Sequence, residues 1–256
     1  MINVVKIGGN VINDPEALGS FLRDFASLKG RKALVHGGGK EATRLSAALG
    51  IETTMIEGRR VTDAATVDVV TMVYAGLVNK RIVSRLQALG CDALGLSGAD
   101  GNVIPATRRS PVPVDFGFVG DIDSARVDDS LIASLIERGI VPVFCAICHD
   151  GDGNLLNCNA DSVAAAVAEA CARIAPTRLT YCFEKPGVMR DIEDESSVIP
   201  SIDEKSFLTL KEGGIIADGM VPKLTNALKS ARAGVAEVRI CRASDLAGEG
   251  GTVITI

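Results

Sequence analysis

The chain has 256 residues, of which 47% are hydrophobic, and a formal net charge of -5. This length is enough for one large α/β domain or two small lobes with a sizeable core. Proteins that bind nucleic acids usually carry a basic surface, so the acidic balance disfavours a nucleic-acid partner. An anionic ligand would instead have to be held by local cations and backbone N–H groups.

No secretory signal is visible, since residues 1–7 have the pattern of a buried strand that ends at a glycine pair. No apolar run approaches the roughly 20 residues that span a bilayer. We therefore expect a cytoplasmic protein without a membrane partner. In that compartment the seven cysteines are expected to be free thiols.

Residues 145–149 match the short CxxCH pattern of covalent haem attachment, and the CxxC pair also suggests a metal or redox site. The pattern overlaps an apolar, β-rich run over residues 141–147, and Cys is a common core residue. No second CxxC completes a zinc site. A buried core strand is therefore the favoured interpretation, and no protein-bound metal site is predicted.

The alternation of apolar runs and helical patterns predicts an α/β fold, an open and mostly parallel sheet with helices on both faces. The predicted strands, in chain order, are 4–7, 32–36, 91–96, 140–147, 178–183, 236–241 and 252–256. The first predicted helix begins at about Pro15, with Asp14 or Asn13 as N-cap. The later predicted helices are 40–49, 64–89, 129–138, 161–173, 203–212 and 222–233, and hairpins are expected within 51–62 (around Glu57 and Gly58) and 100–125.

Two glycine clusters lie at predicted strand–helix junctions. The first is Lys6-Ile-Gly-Gly9-Asn10 and the second is His36-Gly-Gly-Gly39-Lys40. Glycine lets the backbone approach a ligand closely, and the N-terminus of the following helix favours anions. Each cluster alone fits equally well with a tight strand–helix turn.

The second cluster also partly matches three other motifs. Gly37-x-Gly39-x-x-Ala42 fits the dinucleotide fingerprint, but it follows the second strand, and no acidic residue ends a third strand at the usual distance. A P-loop would need Ser or Thr where Glu41 stands. The lipase oxyanion motif would need a nucleophile elbow, which residues 95–99 only approximate. These residues are also too close to His149 along the chain for the usual triad.

Two lysines and one aspartate stand out by their context. Lys6 ends the first strand, Lys223 begins a helix, and Asp161 opens an apolar helix after Asn157 and Asn159. A lysine near a helix N-terminus places a compact positive charge where anions collect. Taken singly, the lysines fit ordinary surface residues and Asp161 fits a helix N-cap.

Together these segments resemble the amino acid kinase family and, within it, the acetylglutamate kinases. The motifs that carry the resemblance are Lys6-Ile-Gly-Gly9, His36-Gly-Gly-Gly39, Gly58-Arg-Arg60-Val-Thr62-Asp63, Gly95-Leu-Ser-Gly98 with Asp100-Gly101, Gly117-Phe-Val-Gly120, Asn157-Cys-Asn-Ala-Asp161 and Asp218-Gly-Met-x-x-Lys223. They span nearly the full length in the order of the family, which makes the set far more specific than any single motif.

The resemblance implies a three-layer sandwich with an acyl-amino-acid-binding lobe over about 1–175 and an ATP-binding lobe over about 176–256. It implies that Lys6 and Lys223 neutralise the transferring phosphoryl group, that Asp161 orients both lysines, and that Gly9 and Gly38 offer N–H groups to phosphate oxygens. The substrate-binding residues that it implies are Gly38, Gly39, Arg60, Asn157 and Asn159, with Arg60 pairing with a carboxylate. The nucleotide-binding residues that it implies are Glu184, Lys185, Gly187, Val188, Met189, Ile216 and Ala217.

The expected reaction is transfer of the γ-phosphoryl group of ATP to the side-chain carboxylate of N-acetyl-L-glutamate, a step of arginine biosynthesis. A carboxylate with a pKa of about 4 is already ionised at neutral pH, so it needs no general base. Phosphoryl transfer needs positioning and charge neutralisation, which lysines, glycine N–H groups and Mg²⁺ carried by ATP supply. The sequence departs from the family where Phe183-Glu184 replaces the usual Thr-Asp or Ser-Asp, which puts the nucleotide contacts in question.

Some alternative functions share this chemistry, and one does not. The acyl group can be succinyl instead of acetyl, or the substrate another acyl amino acid of the aminoadipate type. Gly8-Gly9-Asn10 also echoes carbamate kinases. A non-catalytic ligand sensor is the alternative from another class. Family members inhibited by arginine carry an extra N-terminal helix, which is not seen before the first strand here. We therefore expect a homodimer without feedback by arginine.

Overall fold

The computed structural model describes residues 1–56, 58–216 and 220–256. Its strands, numbered in chain order, are β1 (Ile2–Ile7), β2 (Arg31–His36), β3 (Met55–Ile56), β4 (Arg59–Arg60), β5 (Ala93–Leu96), β6 (Ala106–Arg108), β7 (Gly120–Ile122), β8 (Val141–Cys145), β9 (Ile147–His149), β10 (Leu155–Asn157), β11 (Thr177–Phe183), β12 (Ser201–Ile202), β13 (Glu237–Arg242) and β14 (Thr252–Ile254).

The helices are α1 (Gly9–Asn13), α2 (Pro15–Ser27), α3 (Gly39–Ala48), α4 (Ala64–Thr71), α5 (Asn79–Ala88), α6 (Asp129–Glu137), α7 (Ala160–Ile174), α8 (Glu204–Glu212) and α9 (Met220–Arg232). Asp14 caps α2, because its side chain accepts from the backbone N–H groups of Glu16 and Ala17. Pro15 occupies the first helical position, as predicted.

The central sheet has eight strands in the order β12-β14-β13-β11-β1-β2-β8-β5. Neighbours from β13 to β5 are parallel, whereas β13 and β14 are antiparallel. The mostly parallel α/β sheet is therefore confirmed. Parallel strands are covered by helices, and β8 is accordingly buried along its whole length. Because β11 pairs with β1, one sheet runs through both predicted lobes.

The helix predicted over residues 64–89 is a helical rod with an unusual centre. The rod consists of α4, a π-helical segment over Met72–Val78, and α5. A π-helix has i→i+5 hydrogen bonds, so its wider turn changes which side chains face a neighbouring element, and such segments are frequent at functional sites. The apolar pattern predicted the helix but could not reveal the π-helical segment.

Two local predictions need correction. The short helix α1 begins at Gly9, the second residue of the first glycine pair, and was not predicted. The N-cap of α7 is Asn159, whose Oδ1 accepts from the backbone N–H groups of Asp161 and Ser162 at 2.8 and 3.2 Å. The interpretation of Asp161 as the N-cap is therefore wrong, since Asp161 lies in the first turn of α7. Glu57, at the tip of the predicted β3–β4 hairpin, lies outside the described residues.

The cysteines are buried in the core, and the residues of the lipase-like motif make separate contacts. All seven cysteines fall within the described ranges, and each is a buried free thiol, as predicted. His149 lies 2.7 Å from Asn102, whereas the Ser97 hydroxyl donates to Asp100 at 2.7 Å. These contacts build a loop and not a lipase triad. Among the helices that the structure describes, none is both long enough and apolar enough to cross a membrane.

Candidate active site

Three adjacent parallel strands, β11, β1 and β2, end at the same edge of the sheet. The register pairs Ile7 with Cys182 on one side and with His36 on the other. Each strand is followed by one of the segments that the sequence predicts to bind a ligand. Ligands of open α/β sheets bind outside the carboxyl ends of the strands, so this edge is the candidate site.

Lys6, Asp161 and Lys223 meet at this edge although they come from three different elements. Lys6 lies near the end of β1, and the other two residues lie in the first turns of α7 and α9. The Lys6 Nζ is 2.8 Å from Asp161 Oδ1, and the Lys223 Nζ is 2.8 Å from Asp161 Oδ2. The side chains are only 12%, 16% and 13% exposed for Lys6, Asp161 and Lys223. One carboxylate thus holds two ammonium groups in fixed positions.

The charges of this cluster are set by burial and by mutual attraction. Burial alone would raise the pKa of the Asp161 carboxyl, but Lys6 and Lys223 hold it well below its usual range. Burial lowers the pKa of Lys223, and the nearby Lys6 adds to this, while Asp161 opposes both. The cluster therefore keeps an ionised carboxylate, and its two cations exceed its one anion. This excess of positive charge suits a phosphoryl group.

Two aromatic rings face the ammonium group of Lys223. The Nζ atom lies 5.4 Å from the ring centroid of Tyr181 and 6.0 Å from that of Phe183. Such cation–π contacts favour one position of the charge over others. The resemblance led us to expect a hydroxyl side chain at position 183, where Phe183 instead supplies a ring surface for Lys223.

The first glycine turn is packed closely against the end of β11. The Gly8 N–H donates to the Cys182 carbonyl at 2.8 Å, and a Cβ atom on Gly8 would lie 3.2 Å from that oxygen. A side chain at this position would push the two segments apart. Around Gly9, in contrast, a Cβ atom would meet nothing within 4 Å. Gly9 therefore faces open space next to Lys6.

A cavity of about 220 Å³ opens beside the lysine–aspartate cluster. Seven residues predicted for catalysis or substrate binding line it: Lys6, Gly9, Gly38, Gly39, Arg60, Asn157 and Asn159. It is also lined by residues that were not predicted, among them Met55, Tyr74, Val119, Ala146 and Cys158. The structure thus brings the predicted acyl-amino-acid residues together around one space of small-molecule size.

Arg60 is buried and firmly held at this cavity. Its Nη2 donates to the Gly39 carbonyl at 3.0 Å and to Thr43 Oγ1 at 2.8 Å, and its Nη1 donates to Thr53 Oγ1 at 3.0 Å. Arginine presents five N–H donors in a rigid fork, so these bonds fix the plane of the guanidinium group. A fixed guanidinium group at the start of α3 is suited to bind a carboxylate.

The two asparagines before α7 have different local roles. Asn157 is buried, and its Nδ2 donates to Thr62 Oγ1 at 3.1 Å, which ties β10 to the segment after Arg60. Asn159 caps α7 and so fixes the helix turn that carries Asp161. Both therefore position parts of the site in addition to lining the cavity.

His36, directly before the second glycine turn, is buried and neutral. Asn79 Nδ2 donates to its Nε2 at 3.0 Å and to the Val143 carbonyl at 2.9 Å. The Nδ1 atom therefore carries the proton and donates to the Gly37 carbonyl at 2.7 Å. Burial lowers the pKa of His36 to about 4. His36 thus holds the glycine turn and does not act as a base at neutral pH.

Five of the predicted nucleotide-binding residues come soon after β11, namely Glu184, Lys185, Gly187, Val188 and Met189, and none of these five lines the 220 Å³ cavity. Glu184 Oε1 accepts from Asn10 Nδ2 at 2.6 Å, which connects this segment to the first glycine turn. Glu184 also lines a second cavity of about 380 Å³, together with Asn10 and Phe183. The charge of Glu184 also opposes the lowering of the Lys223 pKa by burial.

The other predicted nucleotide-binding residues that the structure describes are engaged within the protein. Lys185 donates to the Ile192 carbonyl at 3.2 Å, the Val188 N–H donates to Thr252 Oγ1 at 2.9 Å, and Met189 forms a bridge with Val198. Val188 and Ile216 are buried in the core, and a Cβ atom on Gly187 would lie 2.8 Å from Thr252 Oγ1. Ala217 lies outside the described residues, as do Asp218 and Gly219 of the same motif.

Residues 1–242 match the model of the amino acid kinase family. The acetylglutamate kinase of Bacteroides fragilis is 50% identical over 253 residues, which cover 99% of this chain and 96% of that protein. The crystal structure of smu.665 from Streptococcus mutans has a TM-score of 0.82 at 27% identity, over 99% of this chain and 98% of that one. N-acetylglutamate synthase from Neisseria gonorrhoeae has a TM-score of 0.83 at 21% identity, over 100% of this chain and 59% of that one, which shows a shared fold.

Proposed function

The chain belongs to the amino acid kinase family, and on this basis we propose that it transfers the γ-phosphoryl group of ATP to the side-chain carboxylate of N-acetyl-L-glutamate. The product is an acyl phosphate, and the reaction is a step of arginine biosynthesis. The similarity to acetylglutamate kinases over nearly the whole chain supports the substrate. The single structural observation that carries the proposal is the Lys6–Asp161–Lys223 cluster beside a cavity lined by Arg60 and two glycine turns.

The reaction requires little proton chemistry from the protein. The attacking carboxylate is ionised at neutral pH, so no residue has to remove a proton. Its oxygen forms a bond to the γ-phosphorus while the bond from that phosphorus to the β–γ bridging oxygen breaks, and ADP leaves with the electron pair. Catalysis then rests on alignment and on stabilisation of the charge that spreads over the transferring group.

Lys6 and Lys223 supply that stabilisation in this proposal. Their ammonium groups are held 2.8 Å from the two oxygens of Asp161, so they are already oriented before ATP binds. A preorganised charge in a partly buried site stabilises a transition state more than a mobile surface charge does. Asp161 acts as a positioning residue, and the N–H of Gly9 would donate to a phosphate oxygen.

The acyl-glutamate would occupy the cavity. Arg60 and the N–H groups of Gly38 and Gly39 would receive the α-carboxylate, since they lie together at the start of α3. Asn157 would donate to the acyl-amide oxygen. The side-chain carboxylate would then point to the lysine–aspartate cluster, because Lys6 of that cluster also lines the cavity.

ATP would bind beside the segment that follows β11, and Glu184 would lie near the entrance of the ATP site. The predicted division into a lobe of about 1–175 for the acyl amino acid and a lobe of about 176–256 for ATP follows from this placement. Magnesium would arrive on the phosphates, because the site offers N–H and ammonium donors, and its carboxylate at Asp161 is already engaged by two lysines. When bound, the ion would offset phosphate charge.

We also propose that the protein is a cytoplasmic homodimer. Seven buried free thiols suit a reducing compartment. The edge strand β5 exposes Leu94, and Leu89 near it is exposed as well, which makes this sheet edge the favoured contact between two copies. Light scattering coupled to size-exclusion chromatography measures the mass directly, and a monomeric mass would reject the dimer.

The kinase proposal is tested by trapping the acyl phosphate with hydroxylamine in the presence of ATP, Mg²⁺ and N-acetyl-L-glutamate. N-succinyl-L-glutamate is assayed in parallel, because the alternative acyl group shares the chemistry. Lys223→Met is expected to lower kcat by roughly 100- to 1,000-fold, the usual effect of losing one preorganised charge donor. The matched control Lys29→Met removes an exposed lysine and should leave kcat unchanged. No trapped product with folded wild-type protein would overturn the proposal.

A further inference from the structure

Tyr74 is the largest side chain of the cavity that the sequence motifs did not predict. It lies in the π-helical segment of the α4–α5 rod and is 6% exposed, yet it lines the 220 Å³ cavity. A buried tyrosine that borders a ligand cavity presents both an apolar ring and a polar hydroxyl group. The position of each part can be read from its neighbours.

The ring of Tyr74 packs directly beneath the second glycine turn. A Cβ atom on Gly38 would lie 2.7 Å from Cδ1 and 3.0 Å from Cε1 of the ring. The glycine at position 38 is therefore required by Tyr74 itself, in addition to any ligand. The ring occupies the space that a side chain at position 38 would otherwise take.

The hydroxyl group of Tyr74 lies at the carboxylate-binding end of the cavity. A Cβ atom on Gly39 would be 3.8 Å from the phenol oxygen, and the cavity that Tyr74 lines is lined by Arg60 as well. Arg60 in turn donates to the Gly39 carbonyl at 3.0 Å. Phenol, guanidinium group and the start of α3 thus converge on one point.

The phenol at this point is a hydrogen-bond donor at neutral pH. Burial raises the pKa of Tyr74, and the charge of Arg60 opposes this only in part, so the proton stays on the oxygen. A neutral phenol carries an O–H group that acts as a donor. That O–H can donate into the cavity.

The rod that carries Tyr74 is anchored close to the tyrosine. Five residues further on, Asn79 donates to His36 and to the Val143 carbonyl, so the rod is bonded to the end of β2 and to the middle of β8. A Cβ atom on Gly95 would lie 1.8 Å from Asn79 Oδ1, which shows how closely this anchor is enclosed. The π-helical segment between α4 and the anchor sets the direction in which Tyr74 projects.

We infer that Tyr74 is a further substrate-binding residue, whose hydroxyl donates a hydrogen bond to the α-carboxylate of the acyl-glutamate that Arg60 and the first turn of α3 receive. This inference rests on the proposed function. It makes Tyr74 a determinant of specificity, because a site built to donate to a substrate oxygen rejects a ligand that lacks that oxygen.

Tyr74→Phe tests the hydroxyl alone, because the ring that packs against Gly38 stays in place. A lost hydrogen bond to a charged group weakens binding by roughly tenfold or more. We expect the KM for N-acetyl-L-glutamate to rise by at least about tenfold, with kcat and the KM for ATP within about twofold of wild type. The control is Met72→Ala, an exposed residue of the same π-helical segment, which should leave both KM values unchanged.

Binding is measured separately by calorimetry and by tyrosine fluorescence, without ATP. The chain has no tryptophan and two tyrosines, so the signal comes from Tyr74 and Tyr181 alone. N-acetyl-L-glutamate should change the wild-type fluorescence in a saturable way, and Tyr74→Phe should abolish that change and weaken the calorimetric Kd by about tenfold.

The outcomes separate this inference from the function on which it rests. If the wild type forms acyl phosphate and Tyr74→Phe has the wild-type KM and Kd, the role of Tyr74 is overturned while the function stands. If the wild type neither binds nor phosphorylates N-acetyl-L-glutamate, both the role of Tyr74 and the proposed function fail.

A second variant, Tyr74→Leu, removes the ring as well as the hydroxyl group. A larger rise in KM than for Tyr74→Phe supports a ring that shapes the cavity, and an equal rise assigns the effect to the hydroxyl.

Discussion

Replacing Asp161 by asparagine tests the lysine–aspartate cluster most sharply, because it removes one charge and almost no volume. Each carboxylate oxygen lies 2.8 Å from an ammonium nitrogen. At an effective dielectric constant of about 20, a charge pair at this distance attracts by on the order of 6 kcal/mol, most of which is offset by desolvation. Leaving buried charges without their partner typically costs about 3–5 kcal/mol.

We therefore expect Asp161→Asn to lower the free energy of unfolding by about 3 kcal/mol and kcat by roughly 100- to 1,000-fold, since both lysines lose their orientation. The two uncompensated ammonium groups should also attract anions more strongly. Mg-ATP should therefore raise the free energy of unfolding of the variant by more than it raises that of the wild type.

The assay is urea denaturation with and without Mg-ATP, together with steady-state kinetics of acyl-phosphate formation. Asp129→Asn is the matched control, because it breaks an exposed ion pair with Arg173, 2.6 Å long and 37–39% exposed. Exposed pairs contribute at most about 1 kcal/mol. Wild-type stability and wild-type kcat in Asp161→Asn would refute the assigned role of the cluster.

The remaining predictions concern His36 and Arg60. The pKa of His36 is about 4 in the folded protein, whereas the ordinary value for histidine is 6.5. The folded state therefore binds this proton less readily than the unfolded state does. The free energy of unfolding should fall by about 3 kcal/mol as the pH falls from about 6.5 to 4. His36→Asn should remove most of that pH dependence in denaturation curves, whereas the control His149→Asn should retain it. Arg60→Lys should raise the KM for N-acetyl-L-glutamate by at least about tenfold and leave the KM for ATP unchanged, because an ammonium group cannot reproduce the planar fork of a guanidinium group. An unchanged KM for N-acetyl-L-glutamate would contradict the role of Arg60 in binding the carboxylate.

The strands and glycine turns could be predicted because local patterns determine them. Continuous apolar runs predicted the parallel sheet, and the residues at the ends of β1 and β2 predicted where a ligand site would lie. The convergence of Lys6, Asp161 and Lys223 was implied by the family resemblance. It could not be derived from spacing, because 155 and 62 positions separate the members along the chain.

Other features depended on tertiary contacts that no local pattern carries. The π-helical segment that carries Tyr74 differs from an α-helix in its backbone hydrogen bonds, which the pattern of apolar residues does not specify. The hydrogen bond between Asn10 and Glu184 joins residues 174 positions apart. Asn159 and Asp161 are both good N-cap residues by type, and only the backbone geometry shows that Asn159 caps α7.

A ³¹P NMR time course with the wild-type protein, ATP, Mg²⁺ and N-acetyl-L-glutamate tests the proposed kinase activity most directly. We expect ADP and an acyl-phosphate resonance to appear at equal rates, only when N-acetyl-L-glutamate is present, and Lys223→Met to slow both by the same factor. Formation of inorganic phosphate regardless of the acyl-glutamate, or no change in ATP with folded protein, would contradict it.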